Sequence, residues 1–490
     1  MIDIEIHNVN CVITGGDKYP QLRTCLETLS PGYQYTYLFK SGRWNGKVNL
    51  MAKGQFPTGL LSAVFQTVHE FNIPHVIIDK RVAKQIHIHP SPVQLRPYQE
   101  EIVQKCMFNM WSDTWWPRGV IQVATGGGKT EIAADMICKA QVPTIFLVHR
   151  QDLETQAIER FVPFGIDAGP LANIGHQLVT VTTIQSLMSW NMEFQKHYEN
   201  AEGAKLERSD EWLARKGKKQ DRQALFIKEK LTEIDQVFID EAHLVAAKAE
   251  NMNMFSTALS LMPNAYMRWG LTATPFLRDK LHNWMLEGAT GPALAQITNR
   301  ELIDMGYLSE AFVDIFVMPK EPSLPADWPR CYDYGIVTNK TRNERIVDCY
   351  KTYPGPTLIM VSKLGHGVLL QSELKKAGFS LPFLSGTSSQ TERLQVLNSL
   401  KSGTLSGAIV STIWDEGIDC PQIKAIIIAG AGKSEIKNLQ RLGRGLRLAA
   451  GKSEVKLIDF FDSSPAILKK HSEIRKKLWQ DQGFIVNLLK

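Results

Sequence analysis

Short apolar runs alternate with segments of helical spacing over most of this 490-residue chain. Such runs, bounded by polar residues, predict strands that are buried on both faces. Strands that alternate with amphipathic helices form a parallel α/β sheet, whose ligands bind at the carboxyl edge. The runs that predict strands lie at 120–123, 144–148, 178–182, 237–239, 357–361, 381–384, 408–411, 425–428 and 455–460.

The first 88 residues do not follow this alternation and predict a separate small α+β domain. Alternating isoleucines at 2–6 predict a half-buried strand, and a closing strand is predicted at 75–78. Apolar residues at helical spacing predict helices within 22–29 and 60–71. The chain is therefore expected to begin with an accessory unit at 1–88.

A hairpin is predicted in this unit, because strand-like segments at 33–39 and 48–51 flank a Gly-containing turn. Such a hairpin would bring Arg43, Trp44 and Lys47 close together. Cations around a stacking ring suit the phosphates and bases of a nucleic acid. An indole that covers the core, with solvated lysines around it, explains the same residues equally well.

Composition and charge exclude few functions. The net charge of +6 is mildly basic and is by itself weak evidence for a polyanionic partner. The seven cysteines are scattered without a CxxC pair, which argues against a zinc or iron–sulfur site and against a disulfide framework. Because the N-terminus lacks a signal-peptide pattern and no apolar run has membrane-spanning length, we expect an intracellular, cytoplasmic protein without a membrane partner.

A phosphate-binding loop is indicated between the run at 120–123 and the helical segment that follows. The glycines at 126–128 allow successive backbone N–H groups to face an anion, and the helix N-terminus adds its positive dipole end. Lys129 would reach the β and γ phosphates, while the Thr130 hydroxyl would bind Mg²⁺. The pattern GxxxxGK[ST] is complete except that Val123 replaces its leading glycine.

Two adjacent carboxylates, Asp240 and Glu241, follow another apolar run. Asp240 can hold Mg²⁺, and Glu241 can polarise a water molecule for attack on the γ-phosphate. Such a pair is commonplace by itself, but after a phosphate-binding loop it indicates nucleotide hydrolysis. A later run ends in Thr272 and Thr274, whose hydroxyls could bond to Asp240 or His243 and couple hydrolysis to motion, or could form a plain Thr-rich turn.

A basic motif near the C-terminus extends from Gln440 to Arg447. Arg444 and Arg447 share one face of a helix because they are three residues apart. Opposite the phosphate-binding loop, both arginines would neutralise the charge that develops on the γ-phosphate. The alternative is a solvated basic helix face.

These motifs together resemble those of the superfamily 2 helicases and translocases. The resemblance implies two RecA-like parallel-sheet motor domains in tandem, at 89–300 and 301–490, after the small N-terminal α+β domain. The charged segment at 191–233 is expected to be an insertion in the first motor domain, with a solvated helical hairpin favoured over a nucleic-acid contact. The second motor domain is expected to end in a basic helix, either solvated or following a duplex.

The resemblance also assigns roles to single residues. Catalysis is assigned to Lys129, Asp240, Glu241, Gln440, Arg444 and Arg447, with Mg²⁺ held by Thr130 and Asp240. ATP binding is assigned to Arg96, Gln99, Thr125, Gly126, Gly127, Gly128, Lys129, Thr130, Gly417 and Asp419, and coupling to His243, Thr272 and Thr274. Contacts that grip a nucleic-acid backbone without base specificity are assigned to Arg150, Thr183, Gln185, Ser362, Lys363, Ser385 and Thr412, with Arg43, Trp44 and Lys47 in the N-terminal unit.

Within the superfamily, the small N-terminal unit together with DEAH and QxxGRxxR resembles the phage recombination helicases. That resemblance implies an ATP-dependent DNA helicase that moves branched junctions, regresses forks and removes RNA from R-loops in recombination, repair and replication. The expected partners are forked or four-way DNA, with RNA–DNA hybrids as a further substrate, and a monomer is expected. A phage origin would place the protein in the host cytoplasm.

Three alternatives stay open. An RNA helicase of the DEAD-box type would carry DEAD and HRxGRxxR, where this chain has His243 and Gln440. A double-strand DNA translocase that is a subunit of a larger complex would need a nuclease partner, and no nuclease motif is visible. A nucleic-acid-binding protein with an inactive ATPase is disfavoured by Lys129, Glu241 and Arg444.

Overall fold

The computed structural model describes residues 1–81, 86–111, 114–195, 219–246, 249–273, 279–321, 324–325, 327–353, 355–411, 420–430, 432, 452 and 454–489. These residues form two compact units, one of residues 1–123 and 128–296 and the other of residues 124–127 and 297–490. The domain boundaries at 88 and 300 stay predictions. Within the described ranges, no helix combines the length and the apolar character needed to cross a bilayer.

The N-terminal part of the first unit is built on a four-stranded sheet. The strand Ile2–Ile6 is confirmed, and its three isoleucines are at most 1% exposed. It pairs in parallel with His75–Asp79 and antiparallel with Asn10–Thr14. Trp116 and Trp284, from later in the same unit, pack into this core. The strand order is Gln55–Pro57, Asn10–Thr14, Ile2–Ile6, His75–Asp79, and the helices are Pro20–Thr24, Tyr37–Lys40 and Leu61–Glu70.

The hairpin predicted around residues 33–51 is wrong. Tyr33–Tyr35 form a 3₁₀ turn and Tyr37–Lys40 form a short helix. Gly32 enters this segment with a φ of 70°, and the Thr36 hydroxyl accepts a hydrogen bond from a helix N–H at 3.3 Å. The left-handed glycine and the local cap favour helical turns over an extended strand.

The strand Lys47–Asn49 pairs antiparallel with Glu27–Leu29 instead. Because residues 27–29 are extended, the helix predicted within 22–29 is limited to Pro20–Thr24. The helix predicted at 60–71 is confirmed as Leu61–Glu70.

The rest of the first unit contains a seven-stranded sheet, and the five pairs among its first six strands are parallel. Thr144–Val148 and Val179–Thr183 are buried at every position, which explains why neither strand alternates apolar and charged residues. The strand order is Ala168–Pro170, Val179–Thr183, Thr144–Val148, Gln236–Asp240, Met267–Thr272, Arg118–Val123, Ala293–Ile297, and a separate ribbon joins Met110–Trp111 to Thr114–Trp115. The helices are Pro97–Met107, Lys129–Ala140, Gln151–Phe161, Ile184–Phe194, Lys219–Thr232, Ala249–Ser260 and Lys280–Ala289. Residues 196–218 of the predicted insertion lie outside the described residues.

The second unit contains another seven-stranded sheet, and all its neighbouring strands are parallel. The strand order is Phe383–Leu384, Gly407–Val410, Thr357–Met360, Ala425–Ile428, Glu454–Asp462, Glu310–Met318, Ile485–Leu489. The helices are Asn299–Asp304, Trp328–Tyr332, Lys340–Thr352, Leu364–Lys376, Gln390–Ser402 and Ala466–Asp481. The two RecA-like parallel sheets in tandem, with a small N-terminal sheet before them, confirm the predicted fold class.

The basic sequence of the C-terminal helix, Ala466–Asp481, predicted a solvated helix, but one face of this helix is buried. Arg475 is 1% exposed, and its guanidinium donates to both carboxylate oxygens of Asp459 at 3.0 and 3.1 Å. Leu468 and Trp479 are buried on the same helix. The helix therefore packs one face, including a charged residue, into the core of the second unit.

Candidate functional site

The predicted phosphate-binding loop connects the strand Arg118–Val123 to the helix Lys129–Ala140. Gly126 and Gly128 have φ values of 87° and 83°, in the left-handed region that favours glycine. A Cβ on Gly128 would lie 2.2 Å from Gln99 Nε2, so the Gln99 amide would have to move to admit a side chain. The left-handed backbone is therefore the main reason for glycine at position 128.

Gln99 joins this loop through the start of another helix. The backbone N–H of Arg96 donates to Gln99 Oε1 at 3.0 Å, at the start of the helix Pro97–Met107. Gln99 is 5% exposed. One end of its amide is thereby fixed by this hydrogen bond, and the other end faces Gly128. The structure thus brings the predicted ATP-binding residue Gln99 to the loop.

The two predicted carboxylates stand at the carboxyl end of the strand Gln236–Asp240. Glu241 follows directly and has a φ of 48°, which is uncommon for a residue with a side chain. Its carboxylate lies 3.8 Å from Lys129 Nζ and 3.4 Å from His243 Nδ1. Glu241 thus combines a left-handed backbone conformation with a side chain that lies between Lys129 and His243.

The pKa of Asp240 is raised above the usual value for an aspartate. Burial, together with the negative charge of Glu241, raises the pKa of Asp240 to about 6, while Lys129 acts in the opposite direction. Two adjacent, partly buried carboxylates favour a bound cation, and carboxylate and hydroxyl oxygens are the donors that Mg²⁺ prefers. The residues present therefore fit the Mg²⁺ that was expected at Asp240 and Thr130, the second residue of the helix Lys129–Ala140.

The predicted contact between the TAT segment and DEAH is present. Thr272 Oγ1 and His243 Nδ1 are hydrogen-bonded at 3.1 Å, and both side chains are at most 5% exposed. Asp240 pairs with Leu271 on the neighbouring strand, so Thr272 extends one residue past the carboxylate. Glu241, His243 and Thr272 form a continuous polar chain across two strand ends. Thr274 lies outside the described residues.

The predicted nucleic-acid contacts of the first motor domain differ in solvent exposure and in the hydrogen bonds that they already make. Arg150 precedes the helix Gln151–Phe161 and donates from Nε to Asp152 Oδ1 at 2.9 Å. Thr183 is 3% exposed, and its hydroxyl caps its own helix by accepting from the backbone N–H of Ser186 at 3.0 Å. Gln185 is exposed. Of the Thr183 and Gln185 side chains, only Gln185 is presented to solvent.

In the second unit, Ser362 and Lys363 follow the strand Thr357–Met360, and both are exposed. Lys363 Nζ is paired with Asp333 Oδ1 at 2.5 Å. Ser385 is 7% exposed, and its hydroxyl is bonded to a neighbouring threonine hydroxyl at 2.7 Å. The other candidates of this unit, Thr412, Gly417, Asp419, Gln440, Arg444 and Arg447, lie outside the described residues.

The N-terminal candidates are close in space, although not in a hairpin. The Trp44 indole N–H donates to the backbone carbonyl of Lys47 at 2.8 Å, while Lys47 Nζ is paired with Glu27 at 2.7 Å. The same segment contains two exposed aromatic residues that were not among the predicted contacts, Tyr35 and Tyr37, which are 77% and 71% exposed. The sequence does show that this segment is rich in aromatic residues. Because the segment was predicted to be a strand, these residues were not considered as exposed contacts.

Comparison with known proteins agrees with this geometry. Residues 92–277 match the family described as "Type III restriction enzyme, res subunit", and residues 341–449 match the family described as "Helicase conserved C-terminal domain". Together the two matches span more than half of the chain. The two matches, with the two RecA-like sheets, support the resemblance to the superfamily 2 helicases that the motifs indicated.

Relatives in two organisms carry helicase names. A helicase-like protein of Sulfolobus islandicus filamentous virus is 27% identical over 277 residues, covering 53% of this chain and 47% of its own length. The helicase-like protein IRC3 of Saccharomyces cerevisiae is 24% identical over 409 residues, covering 76% of this chain and 52% of its own length. The chain thus spans about half the length of these relatives.

The fold is shared with a solved structure. Saccharomyces cerevisiae Dbp5 bound to RNA and ADP BeF3 aligns with a TM-score of 0.52 and 16% identity, over 80% of this chain and 89% of Dbp5. T4 UvsW aligns over 99% of this chain and 98% of its own, with 16% identity and a TM-score of 0.40.

Proposed function

We propose that this chain is an ATP-dependent DNA helicase or translocase that acts on branched DNA. The observation that carries the proposal is the group of Lys129, Glu241, His243 and Thr272, which meet at the carboxyl ends of adjacent strands. This arrangement supplies a cation for the phosphates, a carboxylate for the attacking water and a polar connection that leads away from it.

Each described residue of the site has a defined task in this proposal. Lys129 and the N-terminus of its helix hold the β and γ phosphates. Glu241 orients the attacking water and accepts its proton. His243 fixes the Glu241 carboxylate and transmits its state to Thr272. Mg²⁺ at Thr130 and Asp240 would neutralise phosphate charge, while Arg444 and Arg447 stay predicted arginine fingers.

DNA is favoured over RNA by the motif sequence and by the family match. The chain has DEAH and QxxGRxxR where the DEAD-box pattern would require DEAD and HRxGRxxR. The first family match is to a subunit of restriction enzymes, which act on DNA. Branched DNA is favoured by the N-terminal unit, where Tyr35 and Tyr37 present exposed rings beside the exposed Arg43.

The proposal predicts which nucleic acid stimulates ATP hydrolysis. Phosphate release should be stimulated by forked and four-way DNA more than by linear duplex, and by DNA more than by RNA, because the N-terminal unit adds contacts at a branch. Steady-state phosphate release with each of these nucleic acids at matched nucleotide concentration tests this. Stimulation by RNA alone would overturn the DNA assignment and favour an RNA helicase.

The exposed tyrosines give a second prediction. Combined replacement Tyr35→Ala and Tyr37→Ala should weaken binding of forked DNA by about tenfold or more, because each stacked base contributes about 1–3 kcal/mol. Basal ATPase should not change, since the ATP site lies elsewhere in the unit. Fluorescence anisotropy with labelled forked and linear DNA measures the effect.

Two further variants control this measurement. Phe108 is 62% exposed in the first unit and outside the N-terminal segment, so Phe108→Ala should bind forked DNA as the parent does. Trp44→Ala tests whether that indole binds DNA or supports the fold, because equal losses of basal ATPase and DNA processing would indicate a folding role. Unchanged fork binding by the double tyrosine variant would exclude the N-terminal segment as a DNA contact.

A further inference from the structure

One candidate phosphate-binding lysine is already occupied by a carboxylate of its own chain. Lys363 Nζ lies 2.5 Å from Asp333 Oδ1, and the two side chains are 43% and 47% exposed. Asp333 begins a π-helical turn, Asp333–Val337, directly after the helix Trp328–Tyr332. Such turns are frequent at functional sites. The pair therefore joins an irregular helical segment to a predicted DNA contact.

The surroundings of Lys363 favour an anion. Lys363 occupies the N-cap position of the 13-residue helix Leu364–Lys376, whose N-terminus carries a positive partial charge, and its side chain makes no cap hydrogen bond. The exposed Ser362 precedes it at the carboxyl end of the strand Thr357–Met360. An anionic oxygen at this point would receive a charge-assisted hydrogen bond from Lys363. In this structure the carboxylate of Asp333 takes that bond.

Stability alone is a weak reason for this pair. Exposed ion pairs contribute about 0–1 kcal/mol, because solvent screens the charges and two long side chains lose freedom. The same arrangement recurs at two other predicted contacts, where Arg150 is bonded to Asp152 and Lys47 is paired with Glu27. Three cations that were each assigned to DNA phosphates therefore each hold a carboxylate.

We propose that Asp333 competes with a DNA phosphate for Lys363 and thereby limits the affinity of this contact for DNA. The inference rests on the proposed function. A translocating motor must release each phosphate as well as bind it. A carboxylate that already pairs with the lysine lowers the free energy gained when the lysine binds a phosphate. Binding exchanges the Asp333 carboxylate for phosphate, and release reverses the exchange.

The variant Asp333→Asn tests this proposal. It removes the competing charge and the repulsion between that charge and the phosphate, so labelled forked DNA should bind about fivefold tighter at low salt. The slope of log K against log salt concentration should become steeper by up to about one, because no internal anion replaces the phosphate on release. Anisotropy titrations over a range of salt concentrations, without nucleotide, measure both quantities.

A matched ion pair serves as the control. Lys351 and Asp348 are 3.0 Å apart in the same unit, with side chains 48% and 63% exposed, and neither is a candidate contact. Asp348→Asn should leave DNA binding within about twofold of the parent, because distant surface charges are screened. An equal gain from both variants would indicate a general charge effect and overturn the proposal.

The lysine variant separates this inference from the proposed function. If Lys363→Met weakens DNA binding while Asp333→Asn leaves it unchanged or weaker, the competition is refuted but the DNA site stands. If Lys363→Met has no effect on DNA binding, Lys363 is not a DNA contact. The proposed DNA contact at this position and the competition by Asp333 are then both refuted. In the double variant, the gain from Asp333→Asn must disappear, and a persisting gain would also contradict the proposal even if Asp333→Asn alters local folding.

Discussion

Replacing Lys129 with alanine is expected to lower the rate of ATP hydrolysis by about 100- to 1,000-fold, the usual cost of losing one pre-positioned charge-stabilising group. Lys129 Nζ lies 3.8 Å from Glu241 Oε1, and the lysine side chain is only 12% exposed. Water can therefore replace little of the lost charge. Forked DNA should still bind, because the candidate DNA contacts are carried by other residues. Phosphate release and anisotropy on the same preparation check both statements.

The matched control is Lys105→Ala, which removes an exposed lysine from the helix Pro97–Met107 of the same unit. This variant should retain full hydrolysis. A Lys129→Ala protein that loses DNA binding as completely as hydrolysis, while its thermal unfolding is unchanged, would contradict the separation of ATP and DNA sites.

The candidate ATP site could be predicted where its residues directly follow the ends of parallel strands. Asp240 and Thr272 end two neighbouring buried strands, and parallel strands bring their carboxyl ends to one edge. The contact between Gln99 and Gly128 could not be predicted, because it depends on how the start of a preceding helix packs against the loop. Spacing along the chain contains no information about that approach.

The corrections to the N-terminal segment and to the C-terminal helix have different physical causes. In the N-terminal segment, aromatic residues were interpreted as strand formers, but Gly32 and the Thr36 cap determine the local conformation. In the C-terminal helix, three consecutive basic residues suggested a solvated face. Arg475 nevertheless lies at helical spacing from the buried Leu468 and Trp479, and that periodicity was the available signal.

Arg475 belongs to a buried polar network in the second unit. Besides Asp459, its guanidinium donates to the backbone carbonyl of Phe460 at 2.8 Å. The Trp479 indole N–H also donates to Asp459, at 3.0 Å. A second buried arginine, Arg342, is paired with Asp462 at the end of the same strand as Asp459. Two arginines and two aspartates thus neutralise each other where water does not reach.

Arg475→Met is expected to lower the free energy of unfolding by about 3–5 kcal/mol, because it leaves a buried aspartate without its cation. The double variant Arg475→Met with Asp459→Leu should recover much of this loss, since burying two apolar side chains avoids the unpaired charge. Lys477→Met, on an exposed position of the same helix, should stay within about 0.5 kcal/mol of the parent. Calorimetry and denaturant unfolding of the full chain measure all three. If Arg475→Met unfolds like Lys477→Met, the pair with Asp459 does not stabilise the fold, and the helix must be held by its apolar contacts alone.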